Sequence, residues 1–185
     1  MILDLWLAIL LSAVAVFVVS SVLHMLVPLH KSDYQALAEE DAVRAAMRAA
    51  NVAPGTYMFP FCKEMKDLAS AEMTEKYKQG PVGHMTILPN GPVSMGKCLV
   101  QWFILCVVVS LFSGYAASIA LDRGADWMLV FRSTFVSAFL AYGVSSATNS
   151  VWKGVAWIVT CKFLFDALLY ALATAATFAW LWPAK

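Results

Sequence analysis

Four long apolar stretches, separated by polar segments, are the main feature of the chain. The first lies in residues 1–28, and the other three lie in about residues 98–121, 127–148 and 154–182. A membrane-spanning α-helix needs about 20 predominantly apolar residues. The pattern therefore predicts an all-α integral membrane protein with a four-helix transmembrane bundle.

Residues 29–97 carry most of the charged side chains and are expected to form one small, mostly helical extramembrane domain between spans 1 and 2. Acidic residues lead and arginines trail in residues 39–51, which matches a helix dipole. A second helix is predicted over residues 65–79, before Gly80-Pro81. Residues 82–88 are expected to be extended, in a short hairpin or an ordered loop.

An aromatic segment lies between these two predicted helices. Tyr57, Phe59 and Phe61 surround Pro60. Aromatic side chains with a polar edge are common at membrane–water interfaces and at protein contacts. These three residues are therefore candidates for contact with a partner or with lipid headgroups.

Small residues recur every four positions on three of the predicted spans, which is typical of closely packed membrane helices. Span 3 repeats Ser133, Ser137 and Ala141 in this way. We expect at least one of these faces to contact another subunit or a second copy of the chain. On spans 2 and 4 the helix-packing residues are Ser110, Gly114, Ser118, Ala167, Ala171, Ala175 and Ala179.

Composition supports the membrane class, because 61% of the residues are hydrophobic and only 14% are charged. Mean hydropathy is +0.71. The net charge of +1 leaves no positive excess to bind phosphate backbones, so nucleic acid is not an expected partner. The four cysteines have no C-x-x-C spacing and predict apolar packing positions without a disulfide framework.

The N-terminal apolar stretch lacks a basic leading region and a cleavage site, so we expect it to be a retained span and not a signal peptide. Four spans place both termini on one side. Lys31, Lys97 and Lys153 flank the domain side, whereas Arg123 and Lys185 flank the terminal side. By the positive-inside rule, the domain of residues 29–97 is expected in the cytoplasm and both termini outside, in a bacterial-type inner or plasma membrane.

Charged residues within the predicted spans are the strongest functional signal. Lys162 and Asp166 are four residues apart and share one helix face, with Tyr170 one turn further on. Arg132 lies inside span 3 and is a second possible partner for Asp166. We therefore expect a network of these four residues, since an intramembrane charge must be paired or hydrated.

Three functions remain open for this charge network. It can be an internal ion pair that fixes helix register, a proton or ion path, or a contact with complementary charges on a partner subunit. A path would continue through a polar cluster on the domain side. That cluster consists of His24, Ser20, Ser21, Gln101, Ser145 and Asn149.

Cofactor binding is not expected from the histidine pattern. His24 and His30 are six residues apart with Pro28 between them, so they do not share a helix face. Haem held between spans would need histidines that face each other within the bundle. Neither haem nor a catalytic metal is therefore expected.

No H-E-x-x-H, G-x-S-x-G or Walker A motif is present in the sequence, so no enzymatic activity is expected. The leading hypothesis is a non-enzymatic accessory or scaffold subunit of a larger membrane assembly. Its partners would be the lipid bilayer and other membrane subunits or copies of itself. The alternative is a small oligomeric ion channel or proton-coupled transporter that uses Lys162 and Asp166.

Overall fold

The computed structural model describes residues 1–184, so Lys185, which was counted in the orientation prediction, lies outside the described residues. The chain is mostly helical, with 68% of its residues in helices. Four helical stretches are long and apolar enough to cross a membrane: Ile2–Met25, Met95–Ala120, Trp127–Lys153 and Trp157–Leu181. The number and approximate positions of the four predicted apolar helices are therefore confirmed.

The chain divides into two compact units. One consists of Met1–Asp33 with Ser94–Lys185, and the other is Tyr34–Val93. The first boundary lies five residues beyond the predicted one at 28/29, because residues 28–33 pack with the apolar helices. The second boundary lies before residue 94, because helix α4 starts at Met95.

The first unit is a bundle of apolar helices. Helix α1 (Trp6–Met25) packs against α4 (Met95–Ala120) and α7 (Trp157–Leu181), and α5 (Trp127–Tyr142) packs against the same two helices. Short connections join α4 to α5 and the third stretch to α7, which makes these neighbours antiparallel. Each of the four helices therefore has two neighbours.

The third apolar stretch differs from its prediction. Helix α5 ends at Tyr142, a 3-10 turn covers Val144–Ser146, and helix α6 continues through Ala147–Lys153. Residues 149–153 were expected to form the turn into span 4. The turn instead begins at Gly154, whose φ of +70° is the left-handed conformation that glycine adopts at a helix C-terminus.

The small residues predicted for helix packing lie mostly inside this unit. Ser110, Gly114 and the four alanines of α7 are buried, and Ser118 is half-buried. A Cβ atom at Gly114 would lie 2.7 Å from the Phe178 ring, so only glycine lets these helices approach this closely. The stripes on spans 2 and 4 therefore serve packing within the chain, and the expected contact with another subunit stays a prediction for the face on span 3.

Span 3 is the exception to this internal packing. The buried residues of α5 are Val130, Thr134 and Ala138. The predicted stripe lies elsewhere on the helix, with Ser137 half-buried and Ala141 exposed. Among the three small-residue faces in the described part of the first unit, the one on α5 is the least buried.

The second unit contains two short helices and a two-stranded sheet. Helix α2 (Glu40–Ala49) matches the predicted first helix, whereas only the second half of the other predicted helix is α-helical, as α3 (Ala71–Gln79). Strand β1 (Gly55–Phe59) pairs antiparallel with β2 (Gly83–Ile87), in a register that places Gly55 opposite Ile87 and Phe59 opposite Gly83. The prediction of a mostly helical domain with a local hairpin is therefore wrong for this unit.

The aromatic segment of this unit is split by the sheet. Tyr57 and Phe59 lie in β1 at half-buried positions that alternate with exposed ones, so they pack within the unit. Phe61 follows the strand and is 70% exposed. Of the three predicted interface residues, Phe61 is the one whose side chain is mainly free for contact.

Candidate functional site

Three segments of the first unit bring ionisable side chains together at one end of the bundle. His24 lies in the last turn of α1, and His30 lies in a 3-10 turn over Pro28–His30. Pro28 cannot continue helix α1, and the turn that starts there directs the chain back toward α7. Helix α7 supplies Asp166 from its third turn.

His24, His30 and Asp166 form what we call the His–Asp centre. Oδ2 of Asp166 lies 2.8 Å from Nε2 of His30 and 3.4 Å from Nε2 of His24. The two imidazole rings stack with centroids 4.5 Å apart. Asp166 is 1% exposed, whereas the His24 side chain is 42% exposed. A nearly inaccessible carboxylate is thus covered by two histidines.

Asp33 holds His30 from the other side of its ring. Nδ1 of His30 lies 2.6 Å from Oδ2 of Asp33, and Nζ of Lys162 donates to Oδ1 of Asp33 at 2.5 Å and to Oγ of Ser32 at 3.0 Å. The hydrogen bond from Lys162 holds the pKa of Asp33 below its usual value, with His30 contributing in the same direction against the effect of desolvation. Asp33 therefore acts as a charged anchor for the imidazole.

Proton positions follow from these distances. Two lone pairs cannot face each other at 2.6 or 2.8 Å, so each nitrogen of His30 shares a proton with a carboxylate. Short contacts therefore run without a break from Lys162 through Asp33 and His30 to Asp166.

The predicted network of Lys162, Asp166 and Arg132 is not formed. Lys162 pairs with Asp33, and the ion-pair partners of Asp166 are His24 and His30. Arg132 is exposed and makes no ion pair within residues 1–184. The turn after Pro28 brings His30 and Asp33 against α7, where they pair with Asp166 and Lys162.

Tyr170 is the predicted network member that does lie beside the centre. Its hydroxyl is 3.3 Å from Nε2 of His24. Its ring packs against those of Trp102 and Tyr142, with centroids 5.9 and 5.5 Å away. This aromatic group closes the centre on the side of the bundle core.

A cavity of about 590 Å³ opens beside the His–Asp centre. Its polar end includes His24, Asp166 and Tyr170, and much of the remaining wall is apolar. The volume lies within the range of ordinary small-molecule sites. The other lining residues are Ser20, Ser21, Met25, Met95, Cys98, Leu99, Trp102, Tyr142 and Phe163.

The predicted polar cluster is brought together only in part. Ser20 and Ser21 line the cavity with His24, and Oγ of Ser20 accepts a hydrogen bond of 2.8 Å from Nε1 of Trp102. Gln101 and Ser145 are exposed, and Asn149 is half-buried on α6. None of these three lines the cavity.

Sequence reasoning missed His30 and Asp33. Their spacing of three residues directly after Pro28 was the available signal, because such a spacing permits a side-chain contact within one turn. Their contact with α7 spans more than 120 residues of sequence and could not be predicted from local pattern.

No protein-family model matches the chain, and neither a curated protein nor a solved structure is significantly similar to it. Function is therefore inferred from the chemistry of the His–Asp centre and its cavity.

Proposed function

We propose that the protein spans a membrane four times and binds an amphipathic small molecule in the cavity beside the His–Asp centre. The observation that carries this proposal is the uneven lining of the cavity, which has an apolar wall and a charged end. An apolar chain would lie against Met95, Leu99 and Trp102, and its polar head would face His24 and Asp166. Membrane lipids are the most abundant molecules of this kind around apolar helices.

The opposite end of the bundle gives less support to transport. There, Leu5, Ile9, Val130 and Phe178 form a packed apolar cluster. A proton or ion that left the His–Asp centre would have to pass this cluster. Transport by the charged residues therefore remains the alternative, and ligand binding at one end of the bundle fits the geometry better.

An accessory role in a larger assembly is a compatible second proposal. It is supported by the exposed apolar side chains of Phe61 and Met65 in the unit Tyr34–Val93, which are 70% and 83% exposed. The small-residue face of α5 around Ser137 and Ala141 is a second surface open to a partner. These contacts would not use the cavity.

Native mass spectrometry of the full chain, extracted in mild detergent from its own membrane, tests both proposals. We expect an additional mass of a lipid-like molecule on the wild-type chain. The Cys98→Trp variant, which places a bulky ring in the cavity wall, should lose that mass. The matched Cys161→Trp variant changes an exposed cysteine outside the cavity and should retain it.

The outcomes separate the possibilities. A wild-type chain without bound amphiphile, or one whose amphiphile is retained in the Cys98→Trp variant, would refute the cavity proposal. A fixed set of additional protein chains supports the accessory role. A chain that migrates alone or only with copies of itself contradicts that role. In that case ion flux through the protein is the next property to measure.

A further inference from the structure

The side-chain atoms of the His–Asp centre converge as metal ligands do. Ligand atoms of His24, His30 and Asp166 all lie within 4.8 Å of one another. Two ligands of a tetrahedral ion bound at about 2.0–2.1 Å lie about 3.3 Å apart. The 3.4 Å between Nε2 of His24 and Oδ2 of Asp166 meets this spacing, and the 2.8 Å between Nε2 of His30 and the same oxygen must increase by about half an ångström. The ligand nitrogens of the two stacked histidines, which are separated by up to 4.8 Å, must move closer together for both to bind one ion.

The surroundings of His30 are those of a metal ligand held by a second residue. Asp33 bonds Nδ1 of His30, which leaves Nε2 facing Asp166. A carboxylate in this position fixes the ring orientation and makes the other nitrogen a better ligand. Asp33 is itself fixed by Lys162, so the imidazole is oriented by two successive contacts.

The second oxygen of Asp166 is an independent indication. Oδ1 is buried, yet it has no hydrogen-bond partner within residues 1–184. A buried carboxylate oxygen without a partner destabilises the folded protein. A cation bound by both oxygens of Asp166 would give Oδ1 a partner. It would also replace the proton between Nε2 of His30 and Oδ2 of Asp166, which leaves to solvent.

We propose that His24, His30 and Asp166 bind one divalent first-row transition-metal ion. Two imidazole nitrogens and one carboxylate favour Zn²⁺ and its neighbours over Ca²⁺ and Mg²⁺, which prefer oxygen ligands. Three protein ligands leave a further coordination position. This differs from the sequence expectation that no metal is bound, because the turn at Pro28 brings the two histidines together although they share no helix face.

The inference rests on the proposed function, because His24 and Asp166 form part of the wall of the same cavity. The open coordination position would accept the polar head of the bound amphiphile or a water molecule. Metal binding itself does not require the amphiphile. The two proposals can therefore be tested separately on the same preparation.

The test is metal titration of the purified full chain in detergent, after removal of bound ions with a chelator. We expect one Zn²⁺ per chain, a higher thermal midpoint with Zn²⁺, and visible absorption when Co²⁺ is the probe. The His30→Gln and Asp166→Asn variants should each lose at least about 100-fold in Zn²⁺ affinity. The Asp33→Asn variant should lose about 10–100-fold, because it removes only the orienting contact.

His84→Gln is the matched control, because His84 lies in strand β2 of the other unit and should not affect binding. Helicity and elution volume identify any variant that fails to fold. A wild-type chain that binds neither Zn²⁺ nor Co²⁺ overturns the inference whatever the variants do. So does binding that His30→Gln and Asp166→Asn leave unchanged while both remain folded.

The amphiphile is measured by mass on the same samples. Bound Zn²⁺ without an amphiphile supports the metal site and refutes the proposal that the cavity binds an amphiphile. A bound amphiphile without Zn²⁺ or Co²⁺ binding removes the metal site and leaves the cavity proposal in place.

Discussion

Single side chains of the centre depend on partners that are distant in sequence. Lys162 and Asp33 are 14% and 4% exposed, so their ion pair is well shielded from water and salt. The pair Glu72 and Lys76 is different, because both side chains are more than half exposed and lie one turn apart on α3. Exposed pairs of this kind contribute about 0–1 kcal/mol. We therefore expect replacement of the lysine by methionine to change the stability of the protein differently in the two pairs.

We predict that Lys162→Met lowers the stability of the metal-free protein by about 1–3 kcal/mol near neutral pH. The reason is that Asp33 remains buried but loses the ammonium group that donates its main hydrogen bond. The pKa of Asp33 is lowered in the folded protein from an ordinary value of 3.8. The stability that the ionised Asp33 contributes to the folded protein is therefore fully present above pH ~4. It is lost as the pH falls through the pKa of Asp33 in the folded state. The stability gap between wild type and variant should shrink in that range.

Thermal midpoints in detergent from pH 7 down to pH 3, with a chelator present, measure this gap. Lys76→Met is the control and should change the midpoint little at any pH, because Glu72 is exposed. A gap that stays constant through the acid range would show that Lys162 stabilises the fold by packing and not through the charge of Asp33.

Helices α4, α5 and α7 pack closely because particular positions have no side chain or a small one. Gly114 lies against Phe178, and Gly143 lies where a Cβ would be 2.7 Å from that of Ala167. Gly143 also follows the last residue of α5, where the helix changes to a 3-10 turn. Gly143 therefore allows α5 to pack closely against α7, the helix that carries Asp166, and Gly114 leaves room on α4 for the Phe178 side chain of α7.

We predict that Gly114→Ala destabilises the bundle by about 1–3 kcal/mol, because the new methyl group overlaps the Phe178 ring. The thermal midpoint of the purified chain measures the effect. Gly96→Ala, in the same helix, is the matched control, since nothing lies within 4 Å of its Cβ position. That variant should be unchanged or slightly more stable, because alanine favours helix over glycine. Equal midpoints for the two variants would contradict the packing model.

At the scale of the whole molecule, four apolar helices place residues 1 and 184 at one end of the bundle and residues 33 and 94 at the other. The His–Asp centre lies at the end with residues 33 and 94. Lysines near these span ends favour the cytoplasm for the unit Tyr34–Val93. The centre would then open toward the cytoplasmic side.

We predict this orientation from the positive-inside rule, and an impermeant thiol reagent on intact cells tests it. In a background that lacks Cys62, Cys98 and Cys161, an Asp41→Cys variant should react only after permeabilisation. Leu3→Cys is the matched control at an exposed terminal position and should react in intact cells. The reverse pattern would show that the unit Tyr34–Val93 lies outside.

The sequence by itself determined that the chain is mostly helical and where its four long apolar helices lie. Length and hydropathy are local properties, and a helix satisfies its backbone hydrogen bonds within one segment, so its bounds follow from neighbouring residues. The same holds for α2, whose charges match its dipole. The sequence also predicted that the small residues at positions 110 and 114 and on α7 pack against other helices. It did not show that those helices belong to the same chain.

Only the tertiary structure decided which charges meet and where the chain pairs as a sheet. Asp33 and His30 reach α7 across more than 120 residues, and β1 pairs with β2 across a helix, so neither contact leaves a periodic signal. The sequence suggested only Lys162 and Arg132 as partners of Asp166, because these are the positively charged residues within the predicted spans. The turn at Pro28 instead places His30 beside Asp166, and this single change of chain direction creates the His–Asp centre.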